Sequence, residues 1–461
     1  MTSLAIRNAT VVRPFGRSPS TILIDDGRVQ ALLAPSERPA AETTIDARGA
    51  YVIPGVIDPH VHLGLSQTFA DACRNESRAA VTGGVTTMLH YLLSPGSFLD
   101  AYGDHATAVE AHSLVDVGFH ALITNDAQVA EIPRTVDELR LTSYKFHMAM
   151  KGPEAAYGIR GVDDGALLEG LRNVASRPGV LALVHAENID VILRGRDRMM
   201  ARHGDETRTA IWSEYRPAFT EEEEEAITRA FRLADEAGSP VGIVHTSVGR
   251  GPELLARARV HYPHLYMETC PQYLVLDQDM DLGTWGKVNP PLRTRADQEL
   301  LWQALATGGI DWLGSDLCDY DRASREGSLW EVGPGLPSGM TLILPVLLSH
   351  GVRRGCLTLE QVVALTSTNF ARLGGFAPRK GALEVGSDAD LVILDLDHEV
   401  TISAEILNSH SDYTPYEGMV LTGWARTTVA GGEVRYDRGD VADGGRRGRV
   451  LRQDPEQVPA L

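Results

Sequence analysis

Cysteine is scarce in this sequence. Only Cys73, Cys270, Cys318 and Cys356 occur in 461 residues, and no two of them form a CxxC pair. That argues against a disulfide-stapled scaffold and a thiolate zinc site, and it fits a reduced, cytoplasmic protein. No apolar run reaches about 18 residues, so no membrane-spanning helix is expected. The opening MTSLAIRNATVVRPFG lacks the apolar core and cleavage pattern of a signal peptide. Positive charge is in deficit: 43 Lys and Arg stand against 62 Asp and Glu, for a formal net charge of −19. Such a surface suits neither nucleic acid nor an anionic membrane as partner. Internal repeats are absent. The one biased stretch is the Gly-, Arg- and Asp-rich tail at 437–461, expected to be an extended arm or partly disordered.

What is present falls into two textures. Short strands and turns fill the first part (LAIRNATVV, TILIDDGRVQALL, TIDARGAYVI) and return near the end (ADLVILDLD, MVLTGWARTTVAGGEVRYD). Two distant β pieces imply one small β-sandwich built from both termini, residues 1–53 plus 375–440. Between them, helical segments alternate with short apolar strands such as VTTML, TSYKFHM, VLALVH, PVGIVH and DWLGSD. That alternation predicts an α/β (β/α)8 TIM-like barrel over 54–374, followed by a C-terminal arm at 441–461. The acidic run at 221–225 reads as a helix start: Thr220 as cap, Glu223 completing a capping box, and Gly238 ending the helix.

Catalytic groups of such barrels sit at the C-terminal ends of strands. There the sequence places its histidines: His60 and His62 at the end of PGVIDPHVH, His185 after VLALV, His245 after PVGIV. Asp316 closes DWLGSD, and Lys145 lies in TSYKFHM. His60 and His62 are two apart, so on a strand both side chains share one face. An HxH pair alone is weak evidence for a metal, and Lys145 alone reads first as an interior lysine with a carboxylate partner. The ordered set of six is far more specific.

With these residues in place, the chain resembles the amidohydrolase superfamily, in its dihydropyrimidinase and hydantoinase (cyclic amidase) branch. The resemblance extends to VHAEN at 184–188, ETCPQYL at 268–274, KVNPPLR at 287–293, STNFARL at 367–373 and RKGALEVGSDADLVI at 379–393. It implies two divalent metal ions, zinc first, with manganese, cobalt or iron as alternatives. His60, His62 and Asp316 would hold one ion, and His185 and His245 the other. Lys145, carboxylated by carbon dioxide, would bridge them. It further implies that activated water attacks a ring carbonyl while Asp316 moves the proton to the departing nitrogen. The substrate would be a hydantoin, dihydropyrimidine or cyclic imide, opened or, in reverse, closed. A homodimer or homotetramer is implied, since GRVL at 448–451 resembles the family's arm that packs across subunits.

The pocket departs from the family pattern. A tyrosine that donates to the substrate five residues after the lysine is Met150 here. His147 and Tyr157 are the candidate substitutes, the alternative being that His147 only packs. The family's GSDH reads GSDL, with Leu317 in place of a histidine. Pro334 falls where backbone groups normally hold the ring imide, and it has no N–H to offer. Asn289 keeps the other backbone contact. These changes leave allantoinase-like, dihydroorotase-like and ring-forming cyclase readings open. A non-catalytic scaffold resembling the collapsin-response mediators is disfavoured because all six ligand positions are kept.

Overall fold

The computed structural model describes residues 2–150, 161–204, 209–215 and 222–452. Tyr157, Thr220 and the tail at 453–461 lie outside the described residues.

Strands from both ends of the chain share one sheet. The first five are β1 (Thr2–Arg13), β2 (Gly16–Asp25), β3 (Arg28–Leu33), β4 (Ala41–Asp46) and β5 (Tyr51–Pro54). The barrel strands follow: β6 (Val56–His62), β7 (Val85–Leu92), β8 (Asp116–Ile123), β9 (Ser143–His147), β10 (Leu181–His185), β11 (Val241–Ile243), β12 (Leu265–Thr269), β13 (Trp312–Leu313) and β14 (Leu317–Cys318). The chain then returns to the first sheet with β15 (Leu391–Thr401), β16 (Val420–Ala430), β17 (Glu433–Asp437) and β18 (Asp440–Val441). That sheet runs β18-β17-β16-β15-β5-β1-β2-β3, with β4 beside β1. Its core packs Ile6, Val11, Ile22 and Ile24 against Leu391 and Ile393.

The second sheet is parallel and closes on itself. Every residue of β7 and β8 is buried, as expected for strands with helices outside and side chains packed within. The eighth strand is broken in two. β13 pairs with β12 through Glu268–Trp312, whereas β14 pairs with β6 through Leu317–Val61 and Cys318–His62. The break at 314–316 carries Asp316. Gly314 is required there because a Cβ would meet Glu268 Oε2 at 2.6 Å and the His60 Cβ at 2.7 Å.

One sequence expectation needs correction. The helix after the acidic run spans Glu223–Ala237 and ends at Gly238 in left-handed backbone, but its N-cap is Glu222, without a side-chain cap bond. Glu223 completes no capping box. It is buried, and its carboxylate accepts from the Ser247 N–H at 2.9 Å and from the buried Arg293 guanidinium at 2.8 Å. Its carboxylate points inward to partners from other parts of the chain and so is not turned back to the helix end.

The arm at 448–451 runs beside the barrel strand β8. The Val117 N–H donates to Arg449 O at 2.9 Å and the Leu451 N–H to Val117 O at 2.8 Å. Arg449 also pairs with Asp116 and Asp388, each within 2.7 Å. Asp116, Asp388 and Asp390 converge in the manner of a cation site, but the Lys380 ammonium pairs with all three. All four cysteines are free thiols. Among the described residues no helix is long and apolar enough to cross a membrane.

Candidate active site

Strand alternation sends Asp58, His60 and His62 of β6 to one face. His60 Nε2 lies 3.1 Å and His62 Nε2 3.4 Å from the same Asp316 oxygen. Ligand atoms of these three residues all fall within 4.8 Å of one another. Lys145, in the middle of β9, brings its Nζ to 3.4 Å from His60 Nε2 and lies over the Tyr91 ring. His185 ends β10. His245 follows β11 by two residues. His62, Lys145, His185, His245 and Asp316 line one cavity of about 440 Å3.

His245 and Asp316 sit just beyond their strands at φ 40° and 52°, a left-handed backbone that costs energy for residues other than glycine. Such strain gathers where side chains must be aimed.

Burial governs the protonation of this cluster. It pushes the His245 imidazole well below its ordinary range and lowers His62, leaving both neutral with lone pairs to give. It brings the Lys145 ammonium down to about 8. No carboxylate among the described residues reaches Lys145 Nζ within ion-pair distance, so the paired interior lysine is not what is found. Burial raises the Asp316 carboxyl, but the His60 charge and the hydrogen bonds of His60 and His62 outweigh it and hold the group ionised. His245 Nδ1 is buried without a hydrogen-bond partner. The neutral His62 and His245 imidazoles, one carboxylate and an unpartnered ring nitrogen make a donor set that fits a divalent ion.

The remaining sequence candidates divide. His147, Met150, Asn289 and Pro334 line the same cavity. His147 stacks on His185 with ring centroids 3.7 Å apart, and its Nδ1 accepts the Ala149 N–H at 3.2 Å. Asn289 Oδ1 accepts from Trp212 Nε1 at 3.1 Å. Leu317 does not line the cavity. It packs in the barrel core, pairs with Val61, and donates its N–H to Ser315 Oγ. Its substitution for histidine therefore removes no wall group from this pocket.

Three supporting carboxylates escaped sequence reasoning. Glu268 accepts from His60 Nδ1 at 2.7 Å, from the His245 N–H at 2.8 Å and from Trp312 Nε1 at 2.8 Å. Glu187 lies 2.6 Å from His185 Nε2. Asp58, which burial raises to about 7, accepts the N–H groups of His60 and Ser315. Asp58 was discernible as the residue two before His60 on the same face. Glu187 stands two past His185. Nothing local marks Glu268 as the partner of a residue more than two hundred positions earlier.

Comparison with known proteins agrees with this geometry. The model of the amidohydrolase family matches residues 51–435. The D-hydantoinase of Geobacillus stearothermophilus is 37% identical over 456 residues, covering 94% of this chain and 92% of its own length. A D-phenylhydantoinase of Escherichia coli (strain SE11) is 35% identical, with 99% of both chains covered. Among solved structures, the dihydropyrimidinase of Brevibacillus agri NCHU1002 superposes with a TM-score of 0.88 at 31% identity, covering 99% of each chain. The L-hydantoinase of Arthrobacter aurescens gives 0.89 at 32%, covering 98% of this chain and 99% of its own. A family model spanning the whole barrel, full-length relatives above 30% identity and one histidine-rich cavity agree: the chain belongs to the amidohydrolase family, in its hydantoinase and dihydropyrimidinase branch.

Proposed function

We propose that this protein is a metal-dependent cyclic amidase that opens, and in reverse closes, a ring C–N bond of a hydantoin, dihydropyrimidine or cyclic imide. The observation that carries the reading is the convergence of His60, His62 and Asp316 within 4.8 Å, beside a cavity that Lys145, His185 and His245 also line. His60, His62 and Asp316 would hold one divalent ion, and His185 and His245 a second. Lys145 would span them as a carbamate, its neutral amine having added carbon dioxide with loss of a proton. When bound, the ions supply polarisation of the ring carbonyl and a water nucleophile near neutral pH.

The chain's own groups do the rest. Asp316, held ionised, accepts the nucleophile's proton and delivers it to the departing ring nitrogen, so that a C–O bond forms as the C–N bond breaks. Glu268 fixes the tautomer and orientation of His60. Asn289 and His147 are positioned on the cavity wall to hold the ring. Leu65, Leu93, Leu122 and Met150 give that wall an apolar share, which suits a ring carrying an apolar substituent. Zinc is the metal we assign. The protein is assigned to the cytoplasm as a homodimer or homotetramer, a state that light scattering reads directly.

The test is metal analysis followed by a ring-opening screen on dihydrouracil, hydantoin, succinimide, glutarimide, allantoin and dihydroorotate. The reading expects close to two ions per chain and turnover of hydantoin, dihydrouracil or an imide. Turnover of allantoin or dihydroorotate alone would move the enzyme to another cyclic amide. Negligible metal uptake and no turnover would overturn it.

A further inference from the structure

The loop that follows His62 is held from across the barrel seam by one buried carboxylate. Asp319 is wholly buried. It accepts the Gly64 N–H at 2.9 Å, the Leu65 N–H at 2.7 Å and Gln67 Nε2 at 3.0 Å. Successive backbone N–H groups converging on one anion form a nest. Gly64 makes this possible at φ 87°, a conformation that a side chain disfavours. A fourth tie runs the other way, from the Asp321 N–H to Ser66 Oγ at 3.3 Å. Gln67 extends the network, donating to Glu76 at 3.4 Å and accepting from Asn75 at 2.7 Å. Glu76 in turn accepts from the His410 N–H at 3.0 Å and Ser409 Oγ at 2.8 Å, fastening the loop to the segment before Tyr413.

Both ends of this tie are pocket wall. Gly64 and Leu65 line the cavity on one side, Cys318 and Tyr320 on the other. Leu65 is 45% exposed and Leu93 38% exposed, so the mouth presents two apolar side chains, while His60, Lys145 and His245 lie buried within. A bare ring held at the ligand cluster leaves the mouth untouched. A bulky apolar substituent that reaches the mouth finds Leu65 and Leu93 there.

We propose that Asp319 is a positioning residue that sets substituent selectivity: its carboxylate clamps the loop at 63–67 to the end of the eighth strand and fixes where Leu65 stands. Charge-assisted bonds to backbone N–H groups are stronger than neutral ones, and a buried donor left without an acceptor is costly. Losing the carboxylate therefore frees the loop rather than merely loosening one contact. The inference rests on the proposed ring-opening function, and part of its test does not need that activity.

The experiment compares wild type, Asp319→Asn, Asp319→Ala and the milder Gln67→Ala, all metal-loaded, on hydantoin and 5-benzylhydantoin. Hydrogen exchange is followed over 62–68. For Asp319→Ala we expect metal content as in wild type, lost protection at Gly64 and Leu65, and a KM for 5-benzylhydantoin raised about tenfold relative to that for hydantoin. Asp319→Asn and Gln67→Ala should shift the ratio less, in the same direction. Equal losses on both rings, or an unchanged KM ratio, would overturn the selectivity role. Unchanged exchange at Gly64 and Leu65 would overturn the clamp itself, whatever the activity. A wild-type enzyme inert on both rings would instead overturn the function, while exchange still decides the clamp.

Discussion

Glu268 Oε1 lies 2.7 Å from His60 Nδ1 and, from the same oxygen, accepts the backbone N–H of His245 at 2.8 Å. One carboxylate thus orients a histidine of the HxH pair and the strained turn that presents another histidine. Its second oxygen is taken by the Trp312 indole.

Glu268→Gln keeps the shape and removes the charge. Carboxylates that orient metal-bound histidines are typically worth about 10–100-fold in metal affinity. We expect a loss of that size in competition with a chelator, with the fold intact by circular dichroism. Unchanged affinity would mean that Glu268 only packs.

His147→Phe preserves the stack on His185 but removes both ring nitrogens. Because Nδ1 accepts the Ala149 N–H, the neutral ring carries its proton on Nε2. If that proton stabilises charge on the substrate, turnover falls by roughly 10²–10³, with metal content preserved. Wild-type turnover would leave His147 as a packing residue.

Glu76 makes stability depend on pH. Burial raises its carboxyl from 4.5 to about 7. The folded state therefore binds this proton more tightly than the unfolded state. The resulting stabilisation is full below 4.5 and is lost as pH rises through about 7. Glu76→Gln removes the titration. Between about pH 5 and pH 8, wild type should lose on the order of 1–3 kcal/mol more than the variant, read as the difference in urea midpoints. Parallel curves would show that Glu76 remains ionised throughout.

The sequence by itself determined the architecture and picked out the histidines that line the cavity. Alternation of apolar strands with helices is a local, periodic signal, and it carried the barrel. His60 and His62 share a face because a strand repeats every two residues. Likewise, β texture at both ends pointed to one β domain built from both termini. Tertiary structure decided everything that depends on partners distant in the chain. The acidic run looked like a helix start with a capping box because its spacing fits a cap. Only folding brings Arg293 to Glu222 and Glu223 and buries all three. Leu317 looked like a pocket substitution because it follows Asp316, yet the strand break turns it into the core. Glu268 and Asp319 carry no local mark, since what gives each its role is a set of N–H groups brought to it from neighbouring strands and loops. Local periodicity sets which face a side chain takes; closure of the sheet sets what that face meets.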